Sequence, residues 1–560
     1  MTRNFDHAHD FHIDSFQVFN VHPSADPLNK LEGRVAVGAI HDSAERCDAP
    51  KCHPETRVAL QGELYSWIVH GDGESQHPVK MKWVTGPAGS GKTAIMGSLA
   101  KRCAANGILG ASFFFASWSA SIARRRKTAL VTTIAHQLTR YSHVFRDEIF
   151  KAIEANPDVF DKNLHVQMET LVLTPLREVA GRTDGPGLLG VIIIDGLDEC
   201  EAEQFHDAAP TRLGAKLAQP RTNEQDQLEI LQVLHRAASD PVFPFRILVA
   251  SRPERVFREF FDLEGNSTPF PPKLDLNKDN NANADITLFM EAHFSRIRRR
   301  YNLPPSWPPS GAIHTLVENA SQQFIYAAAV IQFLDTDHRE PPEALLETIL
   351  KMSAKRTTTS NPLEPLDVLY RHILESSPDP PLSIRWIHII KQLNNSMFSP
   401  ASNIRLLLQT DPESSEAEHL FGNLHSLIRV PPRSNQATAG YGFYHKSLLD
   451  FLQDPDRCGS LYVGSSELSV FIWDRFTRAC VRVCDTTRFS YPQTFHQFLF
   501  NIPVFLNMSE GIAHSSVLPT PASVDWWVSS AISENGGTHL WKMFWSVHRS
   551  VRPDPFEALG

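Results

Sequence analysis

Cysteine is scarce, with seven residues in a chain of 560, scattered and without a C-x-x-C pair. So sparse and odd a set excludes a disulfide framework and reads as reduced thiols. Cys47 and Cys52 stand close together, but no second pair at zinc spacing accompanies them, so no metal site is assigned there. Long apolar runs are missing as well. None approaches the ~20 residues of a membrane span, and the N-terminal MTRNFDHAHDFHIDSF lacks the apolar core of a signal peptide. Excess positive charge is absent: a formal net charge of −9 argues against a general nucleic-acid or anionic-membrane binder. No repeat recurs at a solenoid period. A cytoplasmic protein is the expectation. The hydrophobic fraction of 42% is enough for several packed cores, and the length suggests three or four domains at about 150 residues each.

What is there centres on Lys82 to Leu99, KWVTGPAGSGKTAIMGSL. Gly86-Pro87-Ala88-Gly89-Ser90-Gly91-Lys92-Thr93 fits G-x-x-x-x-G-K-[ST] at every fixed position, with a short strand before it and a helical pattern after it. The glycines permit a nest of inward-turned N–H groups for phosphate, and the helix adds its positive end. Lys92 is expected on the β- and γ-phosphates and the Thr93 hydroxyl on Mg²⁺. Val191 to Ile194 then reads as a central parallel strand buried on both faces. It ends in Asp195, expected to hold Mg²⁺ directly or through water, with Asp198 or Glu199 orienting the attacking water. RILVASRP supplies another strand, ending in Ser251 and Arg252. A cation there can sense the γ-phosphate and meet transition-state charge.

Around these motifs the chain divides as follows. Residues 1–45 form a variable segment, in which His7, His9 and His12 read as a solvated tail rather than a metal cluster. An amphipathic helix runs from Val58 to Val69, and an aromatic strand from Ile108 to Phe115. The run Arg124-Arg125-Arg126-Lys127 reads as a solvated helix flank, with phosphate or nucleic-acid contact as the alternative. Helices follow at Leu130–Leu138, Arg146–Ala155 and Leu228–Ala238. The α/β domain spans 46–265 and a helical domain 266–352, with a helix over Ile313 to Leu334. KRTTTSNP is a linker. Helical segments over Leu366–Leu374, Ile384–Leu393 and Ala417–Leu427 belong to 353–465, where His445 falls between a short strand and a helix. The region 466–560 is aromatic-rich and helical, and its tryptophans read as core. The predicted fold class is a P-loop NTPase α/β domain, a parallel sheet with helices on both faces, followed by helical and winged-helix domains.

On GPAGSGKT, VIIIDGLDE and LVASRPE, the chain resembles the NACHT family of signal-transducing P-loop ATPases, of the STAND class. It looks most like the NACHT, or NOD-like receptor, proteins of filamentous fungi, and the resemblance covers roughly Cys47 to Val463. KCHPETR, FIYAAAVIQFL and FYHKSLLDFLQDPDRCG look like that group too. The resemblance implies ATP or ADP (GTP is possible) with Mg²⁺, slow hydrolysis, and homo-oligomerisation on activation. It also implies that His445 contacts the β-phosphate of ADP and locks a closed state. The sequence departs from many relatives at Ala320-Ser-Gln-Gln-Phe324, which has no proline for the adenine. It also lacks the usual C-terminal repeats and a recognisable effector domain. A turnover or remodelling ATPase and a non-hydrolysing nucleotide scaffold are the alternatives to the switch.

Overall fold

The computed structural model describes residues 27–499 except 48, 72–79, 120, 181–188, 203–220, 262–272, 277–281, 336–339, 355–362, 394–399, 485–490, 493 and 497. His7, His9, His12, the 355–362 linker and the tryptophans Trp526, Trp527, Trp541 and Trp545 lie outside the described residues.

Five strands, β1 (Met81–Thr85), β2 (Leu109–Phe114), β3 (Gly190–Asp195), β4 (Phe245–Ser251) and β5 (Lys273–Asp275), form one parallel sheet in the order β2-β3-β4-β1-β5. Their residues alternate between two cores, as the period of two requires. Ile192, Ile194, Ile247 and Val249 face one layer, while Val191, Ile193, Leu248 and Ala250 face the other. The helices Leu130–Tyr141, His143–Ala155 and Asn223–Ser239 close the first layer; Val58–His70 and Lys92–Ala105 close the second. Both faces are therefore covered, the condition under which β-branched runs such as Val191–Ile194 are stable as strands. β4 lies between the P-loop strand β1 and the acidic strand β3, so the ends of all three open on one crevice. β5 was not expected. It is an edge strand of three residues with no apolar run, held by pairing with β1.

Two expectations change in this domain. The segment ahead of residue 46 does not lie apart in its described part: Leu31, Ala36 and Ala39 enter the first core layer. There the Ala36 N–H donates to Thr133 Oγ1 (2.9 Å) and Thr132 Oγ1 donates to the Arg34 carbonyl (2.8 Å). The basic run is neither a solvated flank nor a phosphate grip. Arg124, Arg125 and Lys127 are buried, each against a carboxylate: Glu45 at 3.3 Å, Glu201 at 3.2 Å, and Asp226 at 2.8 Å with Glu229 at 2.6 Å. A buried cation persists only when paired, and the partners come from distant parts of the chain.

From Ala282 the chain is mainly helical. Buried apolar side chains between Ile286 and Leu499 form one continuous hydrophobic cluster among the described residues, with Trp386, Tyr370, Phe294 and Phe421 among its fully buried members. The single helix expected over Ile313–Leu334 is two, Ala312–Ala320 and Phe324–Leu334, because Ser321 and Gln322 take left-handed angles of +46° and +65°. The segment over Ala417–Leu427 is helical only to Phe421. An unexpected helix, Ala401–Leu408, precedes it. A two-stranded antiparallel ribbon, β6 (Ile428–Arg429) with β7 (Gly442–Phe443), follows, then the helix Lys446–Gln453, directly after His445. Helices, a short ribbon and a closing helix make up this region, which follows the α/β domain as a helical part of the chain. Trp473 is core, as expected.

Candidate functional site

The P-loop leaves β1 at Gly86 and turns into the helix Lys92–Ala105. Gly89 and Gly91 have φ of +78° and +91°, angles that disfavour a side chain. Gly89 is constrained twice, since a Cβ there would lie 2.1 Å from Ile325 Cγ2. The Ile325 N–H also donates to the Gly89 carbonyl (3.3 Å), so the start of the helix Phe324–Leu334 roofs the loop. Pro87, Ala88 and Gly89 are partly exposed at the rim, and Ser90 is buried. Lys92 Nζ donates to the carbonyls of Gly86 (2.7 Å) and Pro87 (2.9 Å). Burial pulls its pKa down to about 8 against the opposing charge of Asp198.

Beneath the loop, the Thr93 hydroxyl stands close enough to Asp195, the last residue of β3, to favour its ionised form. Burial raises the Asp195 carboxyl to about 6, opposed first by the charge of Arg46. Its Oδ1 is buried without a hydrogen-bond partner. An orphaned carboxylate oxygen beside a hydroxyl is a donor set for a hard divalent cation. Thr93 and Asp195 therefore fit Mg²⁺, which would neutralise phosphate charge when bound.

Gly196, at φ +69°, turns the chain after Asp195 and presents Asp198 and Glu199. The two acids are held differently. Glu199 Oε2 accepts from the Ser117 N–H (3.0 Å), and burial raises its pKa. Asp198 Oδ1 accepts from the Arg252 N–H (3.1 Å), and Oδ2 pairs with Arg252 Nε (3.3 Å) and Lys446 Nζ (3.9 Å). Arg252 Nη2 reaches on to Asp450 (2.8 Å). The end of β4, the acidic turn and the helix Lys446–Gln453 therefore meet in one ionic cluster. His445 holds the N-cap position of that helix, without a side-chain capping bond. Burial brings its pKa down to about 4, so the ring is neutral near pH 7 with one N–H to donate. Among the described residues its ring makes no hydrogen bond.

Several supporting residues carry no sequence signal of their own. Arg57, in the KCHPETR stretch, is buried, with φ +57°. It donates to the Ser90 carbonyl (3.4 Å), pairs with Asp285 (3.8 Å) and lies over the Phe324 ring (5.0 Å), tying the P-loop to the helical region. Arg46 lies over the Phe114 ring at 3.5 Å. Lys446 and Asp450 were missed because their partners lie far back in the chain, Arg252 being 198 residues before Asp450.

Residues 60–252 match the family model described as Nephrocystin 3, N-terminal. That span runs from the helix ahead of β1 to Arg252. No curated protein matches the chain. Among solved structures, the Walker-type ATPase PABY2304 of Pyrococcus abyssi is similar at 13% identity, over 72% of this chain and 97% of that one, with a TM-score of 0.34. The sheet, the loop and the matched region agree on a P-loop NTPase-like fold, the α/β class expected from the sequence. The NACHT family is not the one matched. Among the described residues, no helix is long and apolar enough to cross a membrane.

Proposed function

We propose that the chain is a nucleotide-dependent switch of the NACHT/STAND type, closed with ADP and open with ATP, with slow hydrolysis as its reset. The observation that carries this reading is the ionic contact of the helix Lys446–Gln453 with Asp198 and Arg252. A mobile winged helix resting on the nucleotide-sensing groups is a bistable arrangement that bound phosphate can bias. Gly86 to Thr93 cradle the phosphates, with Lys92 as the cation. Thr93 and Asp195 hold Mg²⁺. Asp198 or Glu199 orients water, and Arg252 answers the γ-phosphate. Opening exposes a surface through which copies of the chain associate.

Nucleotide analysis of the purified chain with a steady-state ATPase assay tests this. Tightly held ADP and very slow turnover support the switch; rapid turnover or no bound nucleotide refutes it. Within the acidic turn, Glu199→Gln slows hydrolysis by about tenfold or more while sparing binding, as loss of a water-orienting carboxylate does. Asp195→Asn instead weakens Mg²⁺-dependent binding. Equal rates in wild type and both variants refute these roles.

His445 is the proposed lock. A neutral imidazole N–H donated to the ADP β-phosphate is worth roughly 1.5–3 kcal/mol. Its loss shifts the two-state balance about ten- to hundredfold toward the open form. His445→Ala accordingly releases a fluorescent ADP analogue faster by that factor while remaining folded. An unchanged off-rate in a folded variant makes His445 a packing residue only.

A further inference from the structure

We infer that Lys446 and Asp450 are positioning residues that hold Asp198 and Arg252 in an unproductive arrangement for as long as their helix is docked. This rests on the function proposed above and adds a gate on its hydrolytic step. Lys446 and Asp450 are four residues apart on the helix Lys446–Gln453, so they share one face. That face carries one cation and one anion, and it meets one anion and one cation. Lys446 Nζ is 3.9 Å from Asp198 Oδ2, and Arg252 Nη2 is 2.8 Å from Asp450 Oδ2. Arg252 Nε and Asp198 Oδ2 close the cluster at 3.3 Å. Four alternating charges are thus joined through a single helical turn. Lys391 and Glu254 stand close enough to interact with members of the cluster, and Glu201 stands close to Lys391.

Phosphoryl transfer to water needs a cation on the γ-phosphoryl oxygens and a carboxylate that accepts from the attacking water. In the docked arrangement both groups are engaged elsewhere. Arg252 presents its planar fork to two carboxylates, one of them on the winged helix. Asp198 has a donor on each oxygen, the Arg252 N–H on Oδ1 and cations on Oδ2. Lys446 is also the leading charge acting on Glu199, so the second acid faces the same helix. Undocking removes Lys446 and Asp450 together and returns Arg252 and the acids to the crevice. Hydrolysis therefore follows opening, and the reset acts on the open form alone.

The test is steady-state ATP hydrolysis by the full chain, comparing wild type with Asp450→Ala, Lys446→Ala and the conservative Asp450→Glu. The expected result is a kcat about tenfold higher for the two alanine variants, the size of a typical coupling between sites, with KM for ATP little changed and Asp450→Glu close to wild type. Raising the ionic strength speeds the wild type and leaves Asp450→Ala unmoved, because the cluster is partly exposed and screened by salt. That salt comparison also serves with Asp450→Asn if an alanine variant does not fold. A folded Asp450→Ala whose kcat is unchanged or lower overturns the gate, as does an equal rise in Asp450→Glu. Calorimetric ATP binding to the wild type separates the two levels of failure. A chain that binds and slowly hydrolyses ATP but does not respond to the variants refutes the gate alone. A chain that neither binds nor hydrolyses ATP refutes the switch and the gate with it.

Discussion

Lys92→Ala loses ATP and ADP binding by at least about a hundredfold in calorimetry, the largest functional effect expected from any single substitution in the loop. Lys92 brings the cation of the phosphate nest, and its Nζ is already turned inward on the Gly86 and Pro87 carbonyls at 2.7 and 2.9 Å. Phosphate exchanges those neutral acceptors for charged ones, and a hydrogen bond to a charged group is worth roughly 1.5–3 kcal/mol. Two such bonds account for a hundredfold or more. The same side chain sets a pH dependence. Burial holds its pKa near 8 in the free protein, and bound phosphate favours the protonated form and raises it. Affinity is therefore full below pH 8 and falls as the pH rises through 8. Wild-type affinity in Lys92→Ala contradicts the P-loop assignment, and affinity flat across that range contradicts the lowered lysine pKa.

Lys127→Met is expected to be the most damaging substitution away from the site. Lys127 Nζ contacts Asp226 at 2.8 Å and Glu229 at 2.6 Å, and the Asp226 side chain is 0% exposed. Arg221 pairs with both acids too, but it is itself 36% exposed. Removing one member of a buried ion cluster leaves uncompensated charge and costs about 3–5 kcal/mol. Denaturant unfolding of the α/β domain reads this directly, while nucleotide affinity per folded molecule stays unchanged. Asp226→Leu in the Lys127→Met background recovers much of the loss, because a well-packed apolar pair has no charge to desolvate. A stable Lys127→Met with weakened nucleotide binding would restore the phosphate-grip reading of the basic run.

These two lysines mark the limit of what the sequence makes legible. Lys92 is readable because its role is written in its neighbours: the glycines, the strand before and the helix after are all local. The same holds for Val191–Asp195 and Ile247–Arg252, where an apolar run and its terminal polar residue lie side by side. Lys127 is not readable, since its partners lie 99 and 102 residues ahead. Nor is Arg124, whose partner Glu45 is 79 residues behind. A charge run looks the same in sequence whether folding brings carboxylates to it or leaves it in water. β5 escaped because three residues at a sheet edge need no apolar run when β1 supplies the hydrogen bonds. The break at Ser321 and Gln322 escaped because neither residue is glycine or proline, the usual punctuation of a helix. Asp198 and Glu199 could be identified as a pair of acids, but which would meet Arg252 and which Ser117 depended on the tertiary arrangement.

That break has a consequence for how the protein can drift over evolutionary time. It starts a new helix at Phe324 and lays the Ile325 side chain against Gly89. Positions 89 and 325 are far apart in the chain, yet neither is free to vary alone. An alanine at 89 requires both a strained backbone and a smaller residue at 325. A larger residue at 325 presses on a loop that has no side chain to yield. The P-loop's middle glycine and the second residue of this helix should therefore be inherited as a pair, with any tolerated change at one recorded as a compensating change at the other.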